Sequence, residues 1–230
     1  MAQLLYEKHS GKVHLNICRR HMRLCKQVKG CENYATHIEP FYKDLEEMQK
    51  ATMLAKQNKE SAYDDVVLYD TDLDNSIRTL FEKCKQYDRE NPGRPVLNQL
   101  FPDGKLSTIL YAPLESEPDM ASQLLTRLEG LGNSHLLSGQ GEGIKANIEK
   151  CKAALTSYYN SIDVLKSAEA SEEISKSKIR RQYEFNYLDM VKEFGKNNAD
   201  RLFPDINSKG KSNAGDTGAG ESTKVNIEKS

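Results

Sequence analysis

The sequence predicts an all-α protein: an elongated antiparallel bundle of about six helices, internally duplicated as two three-helix halves. Three observations carry this expectation. Apolar residues recur at alternating three- and four-residue steps over long stretches, the spacing of a bundle or coiled-coil seam. The quartet Leu100-Phe101-Pro102-Asp103 returns as Leu202-Phe203-Pro204-Asp205, each time behind a long charged segment. Charged residues make up 29% of the chain and apolar ones 37%, with no Trp, which suits amphipathic helices with wide solvated faces better than a thick α/β core.

The first helix is expected from about Gly11 to Gly30. Val13, Ile17, Leu24 and Val28 fall on one stripe of it, and Gly30 is a natural stop. Thr36-His37-Ile38-Glu39 has the spacing of a capping box, with Pro40 in the first turn of a second helix. Ile38, Phe41, Leu45, Met48, Thr52 and Ala55 form its seam. The polar run Gln57-Asn58-Lys59-Glu60 reads as a break, with Ser61 capping a third helix whose stripe is Val66, Tyr69, Leu73, Ile77, Leu80, Cys84 and Tyr87. Asn91-Pro92-Gly93-Arg94-Pro95 ends it.

Leu-Phe ahead of a proline cannot continue a helix and reads as an apolar plug folded onto the bundle. After the first plug, Leu106–Tyr111 is expected to be a short strand or an extended tie. A short fourth helix follows from about Pro118 to Leu131, then a Gly-rich linker over 130–143. Ile144, Ile148, Cys151, Leu155, Tyr158, Ile162 and Leu165 give three unbroken heptads. Ser171 with Glu172 and Glu173 looks like the cap of a sixth helix, stopped by Gly195. The division is therefore 1–104 for the first half, 105–206 for a second half packed on the first, and 207–230 for a disordered tail poor in apolar residues.

The formal net charge is −1, with 33 basic and 34 acidic residues interspersed. That is no footprint for nucleic acid. No run of about eighteen apolar residues marks a membrane helix, and Met1–Glu7 lacks the basic flank and apolar core of a secretory signal. Five cysteines without a CxxC pair fit reduced thiols, so a cytoplasmic location is expected.

His14, Cys18, His21 and Cys25 recur at i, i+4, i+7 and i+11, on one side of the first helix. Imidazole and thiolate are the right ligands for zinc or a similar ion. One straight helix offers only two adjacent ligands, so the others would come from Cys31, His37, Cys84, His135 or Cys151. The competing reading takes the strip as packing positions beside the apolar stripe. Asp70-Thr71-Asp72-Leu73-Asp74 imitates the start of a calcium loop, but Asn75 stands where glycine is needed and Phe81 where the bidentate acid belongs. A solvated helix face is expected there instead. Gly139-Gln140-Gly141-Glu142-Gly143 precedes a helix without a preceding strand, and Gly210-Lys211-Ser212 lacks the rest of a P-loop. Neither is read as a phosphate site.

No catalytic constellation and no cofactor is assigned. The expected function is a non-catalytic interaction or structural module that offers helical faces, and a groove near the plugs, to a protein partner or to itself. The alternative is a metal-binding helical protein using the His14–Cys25 face.

Overall fold

The computed structural model describes residues 4–204, so the tail expected from residue 207 lies outside the described residues. Among the described residues the chain is helical throughout and forms no strand. Its helices are α1 (Gly11–Gln27), α2 (Glu32–Glu90), α3 (Leu97–Leu100), α4 (Ser107–Leu110), α5 (Glu117–Glu129), α6 (Gly141–Phe194) and α7 (Lys196–Leu202), with a 3₁₀ turn at Ser138–Gln140.

Two of the expected helix boundaries are absent. The 59 residues of α2 run straight through Gln57–Ser61, and the 54 of α6 run straight through Ser171. Neither stretch contains Gly or Pro, and Gln, Lys, Glu and Ala are good helix formers, so polarity alone does not break the helix. Instead of capping, Ser171 Oγ donates back to the Ser167 carbonyl at 2.9 Å. At 1.5 Å per residue the two rods are about 88 and about 81 Å long. The helix expected to start at Thr36 begins earlier, at Glu32, because Tyr34, Ala35 and Ile38 are all buried and pull the first turn into the core. Pro40 therefore lies inside α2, where its missing N–H leaves the Thr36 carbonyl without its helical partner. The segment Leu106–Tyr111, expected as a short strand or an extended tie, instead holds the single helical turn α4.

α2 and α6 pair antiparallel in one register from end to end. Tyr34 faces Asn186, Asp44 faces Ser175, Thr52 faces Ala168, Tyr63 faces Tyr158 and Asp72 faces Asn147. The core is divided along this ribbon. At one end α1, the start of α2, the end of α6 and α7 enclose Cys18, Ile38, Leu45, Ile179, Tyr183 and Phe203. At the other end, the second half of α2, α3–α5 and the start of α6 enclose Leu73, Leu80, Leu100, Phe101, Leu124 and Ile144.

Each Leu-Phe-Pro segment closes one of these clusters. Phe101 sits edge-on to Phe81 with ring centroids 5.0 Å apart. Phe203 is ringed by His21, Tyr183 and Tyr187 at 4.3, 4.8 and 5.1 Å. Both phenylalanines are 3% exposed. Gly195 (φ +77°) makes the turn that sends α7 back over the cluster, a conformation that L side chains rarely adopt.

Between the clusters, among the described residues, only α2 and α6 remain. The buried residues of this waist on α2 are Thr52, Ala55 and Ala62, small enough for the rods to approach closely. Thr52 Oγ1 ties them together, donating to the Met48 and Ala168 carbonyls at 3.0 and 3.3 Å.

Candidate functional site

The His/Cys strip faces inward. His14, Cys18, His21 and Cys25 are all fully buried, because the strip forms part of the face that α1 lays on α2, α6 and α7. His21 is the centre of a hydrogen-bond network that joins four helices. Its Nδ1–H donates to the Leu202 carbonyl on α7 at 2.9 Å. Its Nε2 accepts from Asn186 Nδ2 on α6 at 3.2 Å, and the same amide donates to the Tyr34 carbonyl on α2 at 2.9 Å. Gln182 supplies Asn186 Oδ1 with a donor at 3.0 Å. With one nitrogen donating and the other accepting, the ring is held as a neutral tautomer. Burial pushes its pKa down to about 4, against the opposing pull of the Leu202 carbonyl.

Cys25 Sγ lies 3.6 Å from both ring nitrogens of His21, and burial raises its thiol to about 12. Cys18 is shifted up for the same reason. These are protonated thiols in an apolar setting, far from the thiolates that bind metals or attack electrophiles. His14 donates from Nδ1 to the Ser10 carbonyl at 2.9 Å, while its buried Nε2 and the Tyr183 hydroxyl have no hydrogen-bond partner among the described residues. Among the described residues no three His, Cys, Asp or Glu side chains converge in a geometry that could hold a metal ion.

A second polar cluster lies where α5 meets the ribbon. Asp70 and Asp74, one turn apart on α2, each turn an oxygen inward toward Glu117, the first residue of α5. Glu117 is only 2% exposed, and among the described residues one buried oxygen of each of the three carboxyls has no hydrogen-bond donor from outside the trio. Burial first, then the two neighbouring aspartates, raise the Glu117 carboxyl to about 9. Glu117 and Asp70 in turn add to the burial that lifts the Cys151 thiol to about 11. Asp74 keeps one exposed partner, Arg78, at 3.4 Å. The expected solvated acidic face is thus helical, but two of its aspartates belong to an interhelical joint.

The waist is the third feature. On α2 a single row of alternating four- and three-residue steps passes from Tyr42, Glu46 and Gln49 through Met53, Lys56, Glu60, Tyr63 and Val67 to Asp70 and Asp74. The first three lie beside α1: Arg19 donates from Nε to the Tyr42 hydroxyl at 2.9 Å, and a β-carbon on Gly11 would run into the Gln49 and Glu172 side chains. The last two lie beside α5. The matching row on α6 runs from Leu155 and Tyr159, which meet the start of α5, through Ile162, Lys166 and Glu169 to Glu173. α1 and α5 therefore stand on the same side of the ribbon. Between them Met53, Tyr63, Val67 and Tyr159 are exposed, with Ile162 and Leu165 half-buried.

A surface cleft also adjoins each plug. One of about 490 Å³ lies among Leu24, Val28, Phe194, Asn198 and Leu202, and one of about 190 Å³ among Phe101, Thr108, Met120 and Arg127.

Sequence reasoning singled out His21 but missed Asn186, Glu117 and the open row. An isolated Asn in an otherwise apolar helical stripe is a signal for the first. Nothing local marks Glu117, which becomes special only when α5 folds against α2. Gly210-Lys211-Ser212 lies outside the described residues. No helix among the described residues is long and apolar enough to cross a membrane. Compared with known proteins, the chain matches no family model, no curated protein and no solved structure.

Proposed function

We propose that the chain is a non-catalytic protein-interaction or structural module, built from two related helical halves and acting through its helical faces. The observation that carries the reading is the waist: two rods hold a closed cluster at each end, while apolar side chains between them are exposed among the described residues. Met53, Leu54, Val67, Leu68, Val164 and Ile174 are all 47–62% exposed there. A stiff arm with sticky faces between two capped ends suits a spacer or adaptor. The order of elements supports the kinship of the halves, since each has a short helix (α1, α5), a long one (α2, α6) and a Leu-Phe-Pro plug. The polar chemistry supports the non-catalytic part: His21 and Asn186 are occupied in tying helices together rather than aimed at solvent.

The test is crosslinking of the tagged chain inside its native host, read by mass spectrometry. A stoichiometric partner crosslinked through a confined helical face is the expected result. Recovery of the chain free of any crosslinked protein, itself included, would refute the reading.

A further inference from the structure

Resting on the interaction reading, we infer that the open waist between α1 and α5 receives a single amphipathic helix from a partner protein, basic along the flank that faces α2. At each end of the ribbon a helix already occupies this position: α1 above Tyr42, Glu46 and Gln49, and α5 above Asp70 and Asp74. Between Gln49 and Asp70 no described residue of another helix covers the same row for about 31 Å, the length of a helix of roughly 20 residues. Its floor is apolar toward the α5 side, where the Tyr63 and Tyr158 rings meet at 5.4 Å with planes tilted by 52°, beside Val67 and Ile162. Toward α1 it is closed by Lys56 paired with Glu169 at 3.8 Å.

The flank is set by α2. From residue 60 to residue 77 its charged side chains are Glu60, Asp64, Asp65, Asp70, Asp72 and Asp74, with no Lys or Arg among them. Asp70 and Asp74 are turned toward Glu117, which leaves Glu60 and Asp64 exposed at the lip of the open stretch. Lysines or arginines on the incoming helix would meet them there.

Two other occupants fit worse. The 26 residues after Pro204 carry four glycines, with Ile206, Val225 and Ile227 as their only large apolar side chains, too few for a 20-residue amphipathic helix. A second copy of the ribbon cannot lie lengthwise, because α1 and α5 stand about 10 Å proud at either end. Laid crosswise, two ribbons each about 20 Å wide would bury roughly 800 Å² in total, below the range of stable interfaces.

The experiment places a photo-crosslinking amino acid at Glu60 or Val67 in the open row, and separately at Leu54 or Leu68, which lie about 100° round the helix. The full chain is irradiated in its native host. The inference expects Glu60 and Val67 to capture one segment of a partner, with apolar residues at three- and four-residue steps and a basic flank. A synthetic peptide of that segment should then bind the purified protein and gain helix on binding. V67D, with its circular dichroism unchanged, should weaken that binding at least about tenfold, and L68D should not. Capture of a second copy, or of residues 205–230, overturns the inference. So does capture only from Leu54 and Leu68, which would leave the module reading standing while removing this surface. Capture from none of the four positions removes both.

Discussion

Replacing Glu117 with Gln should stabilise the protein at neutral pH, the reverse of the usual effect of altering a buried polar contact. In the native state Glu117 is 2% exposed and faces Asp70 and Asp74, and its carboxyl is raised from an ordinary 4.5 to about 9. Between those two values the native protein holds one proton that the unfolded chain has released. Stability therefore falls as pH rises through this window, by about 1.4 kcal/mol per pH unit, and levels off above about 9. At pH 7 the accumulated loss is roughly 3 kcal/mol. That figure is a ceiling, because a slight lift of α5 that wets the carboxyl reduces it.

E117Q has no proton to lose, and its amide can donate to Asp70 or Asp74 as the protonated acid does. Urea unfolding followed by circular dichroism, at one-unit intervals from about pH 5 to about pH 8, measures both proteins. The stability gap in favour of E117Q should widen with each step by up to about 1.4 kcal/mol. Parallel pH curves, or a variant less stable than the parent at pH 7, would show that Glu117 is ionised in the fold and that the joint has been misread.

Other consequences follow from the packing. Phe101→Ala and Phe203→Ala should each destabilise by about 3 kcal/mol or more in the same assay, since both rings are buried among aromatics; effects near zero at both would remove the plugs from the core. Tyr183→Phe should be neutral or stabilising by about 1 kcal/mol, because the hydroxyl is buried without a hydrogen-bond partner among the described residues. A loss of that size instead would reveal a partner for it. Leu155→Asp should unfold the α5 end, whereas Lys152→Asp should cost no more than about 1 kcal/mol, as it disturbs only exposed contacts with Asp119 and Ser122.

Much of what rests on helical period was legible in the sequence, although the seam residues Ile162 and Leu165 are only half-buried and the stripe residue Val28 is exposed. The seam residues Ile38, Leu45, Leu73, Ile77, Ile144 and Ile148 are all in the core, and the repeated Leu-Phe pair is buried at both places, although Pro102 is exposed where Pro204 is buried. Breaks were misplaced because a polar run such as Gln57–Glu60 looks the same in a loop and on a solvated rod; only Gly, Pro or a tertiary contact distinguishes them. The inward face of His14–Cys25 was legible as a choice between ligand strip and packing strip. Which partners surround it depends on α6 and α7, about 160 or more residues away in sequence, and period carries no information at that range. Glu117 stayed hidden for the same reason.

The two ends of the ribbon carry opposite pH liabilities, and this makes the division of the core testable. His21 is held neutral in the α1/α7 cluster with its pKa lowered to about 4, from an ordinary 6.5. Between these values the unfolded chain holds the extra proton, so this contribution is intact above about 6.5 and is lost as pH falls toward 4, up to roughly 3 kcal/mol in all. Glu117 works the other way, its joint being strongest in acid. If the waist of Thr52, Ala55 and Ala62 couples the clusters only weakly, their order of melting should reverse with pH. Methyl resonances of Ile179 should then broaden first near pH 5 and those of Ile109 first near pH 8, with His21→Gln abolishing the acid effect and E117Q the alkaline one. Simultaneous melting of both reporters at every pH would instead make the molecule one cooperative unit, with the continuous backbone of α2 and α6 transmitting what the small side chains of the waist do not.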